Sequence, residues 1–132
     1  MQKVRDWRWF AGKLDKAFSK WIRYRDTKDG FGKCISCGKF KAYEELDAGH
    51  FIGRQHLGTR WDEKNVHAQC RYCNRFDEGN KGNYRAALVA KYGPDILDQL
   101  AVAKKLGARH PSITAMGFMI LDYSTRVKEM RK

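Results

Sequence analysis

Cys34-Ile35-Ser36-Cys37-Gly38 and Cys70-Arg71-Tyr72-Cys73-Asn74, with Asp47-Ala48-Gly49-His50 between them, are the stretches on which the reading of this chain turns. Each Cys-x-x-Cys pair presents two thiolates, and two pairs complete the tetrahedral shell of one structural zinc. The 32 residues between Cys37 and Cys70 suit a β-hairpin held shut at its base by that metal. All four cysteines of the chain, Cys34, Cys37, Cys70 and Cys73, are used in this way. Gly38 closes the first knuckle, where thiolate-binding turns often need a positive φ.

At 132 residues and 42% apolar side chains, the chain is expected to form one domain whose limited core a bound metal reinforces. No apolar run approaches the ~18 residues of a membrane span. The segment Met1-Gln2-Lys3-Val4-Arg5-Asp6-Trp7-Arg8 lacks the apolar stretch of a secretion signal. A cytoplasmic, reducing setting is therefore expected, and there such cysteine pairs favour metal over disulfides. The formal charge of +12 is unevenly placed: residues 1–33 and 81–132 each carry ten Lys/Arg against four Asp/Glu, whereas residues 34–80 carry seven of each. A neutral centre between two basic arms suits a protein that handles a polyanion, with the flanks holding phosphates. A membrane-surface role is disfavoured, because no amphipathic anchor or lipidation signal is present.

Residues 1–33 read as a basic helical arm, 34–80 as the metal-bound core and 81–132 as basic C-terminal helices. From Trp7 to about Arg25 the residues Trp7, Phe10, Leu14, Ala17, Phe18 and Trp21 recur at helical spacing within one ~100° stripe, with Lys20 and Arg23 among the basic residues opposite. Trp9 projects from the basic side. About Ala42 to Ile52 reads as short strands, Gly53 to Arg60 as a basic loop, and a short helix is expected from about Asn74. Further helices are expected over Tyr84 to Tyr92, stopped by Gly93-Pro94, and over Asp95 to Leu106, stopped by Gly107. After Pro111, Met116, Met119, Ile120, Tyr123 and Val127 form a stripe that serves either as core or as a dimer seam.

A strand–knuckle–helix element with a histidine on the hairpin and an asparagine opening the helix resembles the ββα-metal, or HNH, nuclease pattern over residues 34 to about 80. Phe18-Ser19-Lys20-Trp21-Ile22-Arg23-Tyr24-Arg25-Asp26, Cys34-Ile35-Ser36-Cys37-Gly38, Asp47-Ala48-Gly49-His50-Phe51-Ile52 and Asn65-Val66-His67-Ala68-Gln69-Cys70 look like the lambda-phage NinG (Rap) recombination-nuclease family. With Gly79-Asn80 and Tyr84-Arg85 following in order, the resemblance extends to about Gly93. It implies a phage protein acting in homologous recombination on branched DNA such as Holliday junctions and D-loops, working as a homodimer.

Phosphodiester hydrolysis needs an activated water, a cation to absorb charge and a means of holding the scissile group. His50 is the candidate general base, because a neutral imidazole can take a proton from water near physiological pH. Asn74 offers an amide oxygen to a hard cation such as magnesium or manganese, with Asp47 as carboxylate partner. The commoner HNH pattern has its ligand immediately before the catalytic histidine, where this chain has Gly49. Strict alternation puts Asp47 and His50 on opposite faces, so a bulge at Gly49 is expected if they share a site. Asp77 or Glu78 is the alternative carboxylate. Asn65 matches the middle asparagine of HNH motifs and is read as support for the loop under His50. His67 is a candidate for orienting phosphate, for supporting the site or for packing beside the knuckle. Arg54 and Arg60 are candidates for clamping phosphate, and Lys20, Arg23 and Arg85 for wider DNA contact.

The expectation is an α+β, zinc-stabilised HNH-like core with flanking helices at both termini, cutting branched DNA. Two alternatives stand beside it: an HNH enzyme for ordinary duplex DNA, and a non-catalytic zinc-ribbon DNA-binding protein.

Overall fold

The computed structural model describes residues 5–107 and 109–131, so Met1 to Val4 of the N-terminal reading lie outside it. Helix α1 (Trp7–Arg25) starts where the Asp6 side chain accepts from the Arg8 and Trp9 amides at 3.0 and 3.4 Å, satisfying two donors that have no partner within the helix. Its buried stripe is Ala11, Leu14, Phe18, Trp21 and Ile22, with Phe10 and Ala17 packed at the margin. Trp9 stays on the surface, under the Arg5 guanidinium at 4.2 Å.

Strands β1 (Thr27–Lys28), β2 (Phe31–Lys33) and β3 (Phe40–Ala42) form a small antiparallel sheet. The β2–β3 turn is the first cysteine knuckle. Gly38 there takes φ 77° and donates to the Cys34 carbonyl at 2.9 Å. A single 3₁₀ turn, Tyr43–Glu45, leads into β4 (Leu46–His50), which pairs antiparallel with β5 (Val66–Cys70).

The β4–β5 register runs without interruption from Leu46 opposite Cys70 to His50 opposite Val66. The bulge expected at Gly49 is therefore absent. Gly49 serves another purpose: a Cβ there would sit 2.0 Å from Oε1 of Gln69 and 2.9 Å from its Cβ, so only glycine lets that buried side chain cross the sheet. The loop from β4 to β5 contains the short helix α2 (Leu57–Arg60).

After β5 the chain makes a π-helical turn, Tyr72–Phe76, in place of the ordinary short helix expected at Asn74. It reverses through Gly79 and Asn80, both at positive φ, and enters α3 (Lys81–Tyr92) three residues earlier than the apolar spacing indicated. Helix α4 (Ile96–Leu106) follows; Ile96 and Leu100 pack with Tyr84 and Leu88 of α3 in a second small core.

Helix α5 (Ile113–Met130) returns to lie along α1. Met116, Tyr123 and Val127 are buried in the α1 core with Met119 and Ile120 beside them, and Phe18 meets Tyr123 edge-on at 5.0 Å. Of the two uses open to that stripe, the structure takes core. Each such side chain contributes about 1.5–3 kcal/mol by leaving water. The terminal helices thus pack together over one face of the β4–β5 hairpin, through Ala48 and Val66. Helix α3 covers the other face, where Tyr84 donates to the Gly49 carbonyl at 2.7 Å. Among the described residues no helix is long and apolar enough to cross a membrane.

Candidate metal centre and active site

Two knuckles, one between β2 and β3 and one at the end of β5, bring Cys34, Cys37, Cys70 and Cys73 together. Their sulfurs all lie within 4.8 Å of one another, and Cys37 Sγ is 3.8 Å from Cys70 Sγ. Tetrahedral zinc with bonds of ~2.3 Å separates its sulfurs by ~3.8 Å, so the spacing fits a metal, whereas a disulfide requires ~2.05 Å. Amide donors already point at the sulfurs: Cys37 N to Cys34 at 3.4 Å, Cys73 N to Cys70 at 3.5 Å, and the Asn80 side chain to Cys73 at 3.4 Å. Such donors stabilise thiolates. With no cation to balance them the four cannot all ionise. Burial and the neighbouring sulfurs push Cys73 up to about 12, while at Cys34 the amide donors outweigh burial and bring it down to about 7. A divalent cation relieves that conflict, and four clustered sulfur donors favour zinc.

On the α1 side of the hairpin lies a cleft of about 300 Å³, lined by Asp15, Ser19, Ala48, His50, Arg54 and Asn74 among others. His50 ends β4, and its Nε2 lies 2.8 Å from the Arg60 carbonyl oxygen. A carbonyl only accepts, so Nε2 carries the proton and Nδ1 keeps the lone pair. Burial pulls His50 below its ordinary value of 6.5, against the opposing effects of the Arg60 carbonyl and Asp15, which favours the neutral, proton-accepting ring at neutral pH. Lys81 donates to the carbonyls of His50 and Phe51 at 2.6 and 2.5 Å, fixing the strand end.

Asn65 is fully buried in the expected supporting role. It accepts from the Ile52 amide at 2.8 Å and donates to the carbonyls of Ile52 and Thr59, both at 3.0 Å, tying the loop into shape.

Asp47 leaves β4 on the face opposite His50, as the unbroken register requires. Asn74 bridges the two: it lines the His50 cleft and donates to Asp47 Oδ2 at 3.0 Å. Arg75 grips the same carboxylate with two bonds of 2.9 Å. Of the two expected cation ligands only Asn74 therefore lines the His50 cleft: without the bulge Asp47 stays on the other face, with both its oxygens held by Arg75 and Asn74. Asp77 and Glu78 are exposed, and Asp77 lines a separate depression over the cysteines, so the alternative carboxylates are not at this cleft.

Two candidates are corrected. His67 is 1% exposed and belongs to the α3 side, where its ring nitrogens meet Tyr84 and Tyr92 hydroxyls at 3.3 and 2.7 Å. Burial, then Arg25, push it down to about 3. It is a neutral core histidine, paired across the sheet with Gly49 and out of the His50 cleft. Arg60 is no free clamp: its side chain is 16% exposed and bonds Asp15 at 3.1 and 2.6 Å. Arg54, 64% exposed and only 3.8 Å from Asp15 at its nearest, keeps the reach that Arg60 lacks. Lys20 and Arg23 lie half-buried on α1, Arg23 over the Tyr43 ring at 4.7 Å. Arg85 is exposed on α3, on the far side of the hairpin.

The residue that sequence reasoning missed is Asp15. Besides Arg60 it accepts from Trp61 Nε1 at 3.0 Å, and so holds the segment whose carbonyl orients His50. A signal was available: it is the lone acid in α1, beside the apolar stripe. Asp15→Asn should lower stability by about 2 kcal/mol, less than the loss for a fully buried ion pair because both partners keep some solvent. Urea denaturation checks this, and an unchanged midpoint would refute the anchoring role.

A sheet-and-helix protein with a four-cysteine, zinc-type centre framing a histidine-bearing hairpin is the class this arrangement defines. The chain matches the family model described as Bacteriophage Lambda NinG protein across residues 1–132, and it belongs to that family. It is 32% identical to protein ninG of Salmonella phage P22 over 118 residues, covering 88% of this chain and 55% of that protein. Protein ninG of Escherichia phage 933W is 35% identical over 86 residues, covering 64% of this chain and 41% of the relative. For protein ninG of Escherichia phage lambda the identity is 34% over 86 residues, with 64% and 40% covered. The chain thus spans between two fifths and just over half of the length of these relatives. No solved structure matches.

Proposed function

We propose that the chain is a DNA endonuclease of the HNH, or ββα-metal, type, acting on branched recombination intermediates such as Holliday junctions and D-loops, with two copies working together on paired strands. The observation that carries this reading is the tautomer of His50: its Nε2 proton is held by the Arg60 carbonyl, and Nδ1 has no hydrogen bond among the described residues. In the proposed reaction a water oxygen bonds to phosphorus while its proton passes to Nδ1, and the bond from phosphorus to the leaving sugar oxygen breaks. Arg54 is placed to hold the phosphate against the cleft. Asn74, which lines the cleft, would offer its amide oxygen to magnesium or manganese, and Asp47 would join it only on release from Arg75; the bound ion would supply positive charge to the phosphate and the leaving oxygen. The four cysteines keep the hairpin and the Asn74 turn in register. The family membership and the two basic arms support nucleic acid as the substrate class.

The test is cleavage of a labelled four-way junction and of a linear duplex of the same sequence, with magnesium or manganese, over a series of salt concentrations. A preference for the junction that survives high salt is expected, because contacts to phosphate alone weaken steeply with salt. Equal cleavage of both would support a duplex nuclease, and tight binding without cleavage a zinc-ribbon binding protein.

The pH dependence follows from the same imidazole. A general base works only when neutral, so activity is present above its pKa and lost as pH falls through it. Burial lowers that value, so the acid limb of the cleavage profile should lie below pH 6.5. A limb centred above 6.5 would contradict the burial argument.

A further inference from the structure

The three-stranded sheet has a face that neither the cysteine centre nor the His50 cleft uses. Lys28 pairs with Phe31, and Lys33 with Phe40, across the antiparallel ladders, so these four side chains share one side. All four are exposed. Phe31 and Phe40 are 59% and 72% exposed, too open to be core residues. A groove of about 720 Å³ runs from this face to α3, where the small side chains of Ala87 and Ala90 and the charged Lys91 form the far wall. Lys28, Lys33 and Lys91 have no carboxylate partner among the described residues. The one acid lining the groove, Asp26, is already paired with Arg25 at 2.7 Å and accepts the Ala68 amide at 2.8 Å. The surface is therefore aromatic and uncompensated in positive charge.

We propose that this face is a stacking platform for unpaired nucleotides, with Phe31 and Phe40 each receiving a base of single-stranded DNA and Lys28, Lys33 and Lys91 meeting the phosphates. Duplex bases are stacked on each other and have no free faces to offer. Unpaired bases do, and stack on aromatic rings with little regard to sequence. The unbalanced lysines select a polyanion over an apolar peptide. The inference rests on the nucleic-acid part of the proposed function and not on hydrolysis.

The test is fluorescence anisotropy with labelled oligothymidylate and with a duplex, without added magnesium or manganese, on wild type and the Phe31→Leu/Phe40→Leu protein. Leucine keeps apolar surface and removes the ring, and both sites are exposed, so folding is spared. Oligothymidylate binding should weaken about 10-fold or more, with the salt slope retained and duplex binding within about 2-fold. Lys28→Gln/Lys33→Gln should instead flatten the single-strand salt slope by about one to two. Wild-type protein that ignores oligothymidylate, a leucine variant that binds it as wild type does, or equal loss on the duplex would each overturn the platform. Failed junction cleavage with ring-dependent single-strand binding removes the hydrolytic reading and leaves the platform standing. Intact cleavage with indifferent phenylalanines does the reverse.

Discussion

His50→Ala protein should keep its fold and its zinc and lose cleavage of a labelled four-way junction by about 10²–10⁴-fold, the usual range for a positioned general base. The ring makes one hydrogen bond, to the Arg60 carbonyl, and sits at the end of a strand held independently by Lys81 and Tyr84. Its removal therefore takes away the proton acceptor without unfastening the hairpin. Thermal melting and zinc content of the variant make the comparison fair. A variant that cuts as fast as wild type would sink the catalytic assignment and move the reading to a binding protein. His67→Ala gives the contrast: it opens a cavity between β5 and α3 and takes away the partner of the Tyr92 hydroxyl, so its primary loss should be in stability.

The second large effect is expected at the metal. Cys73→Ala should abolish tight zinc binding, seen as loss of one zinc per chain in native mass spectrometry, and should destabilise the protein by several kcal/mol, since metal-binding energy in such centres is folding energy. Cys73 is buried and fixes the turn that carries Asn74, so the variant should lose cleavage as well as stability. Exposed Cys37 is the milder position, because water can reach a vacated ligand site there. Unaltered zinc content and melting in Cys73→Ala would show that the four sulfurs do not form a single centre.

Much of this was legible along the chain. Aromatic residues every three or four positions gave α1 its full extent, and the cysteine spacing gave the centre that joins the two knuckles. Asn65 was legible through its resemblance to the middle asparagine of HNH motifs, while its burial and its three loop-closing hydrogen bonds came from the structure. Asp15 was not, since its partners Arg60 and Trp61 lie more than forty residues away and no local periodicity links them. Arg60 was misread for the same reason: alone it is a mobile cation, and beside Asp15 it is a fixed strut.

The two histidines mark the boundary. Sequence by itself determined that His50 lies on the hairpin and that four thiolates close its base, because these follow from spacing and ligand chemistry, whereas the strand that carries His67 opposite Gly49 came from the structure. Only the tertiary structure decided which histidine opens onto a cleft and which is buried. Alternation places a side chain on one face of a strand relative to its neighbours, but it carries no information about what covers that face. The α3 helix buries His67 between two tyrosines, whereas the α1 side leaves a cleft at His50 with its proton fixed by a backbone carbonyl.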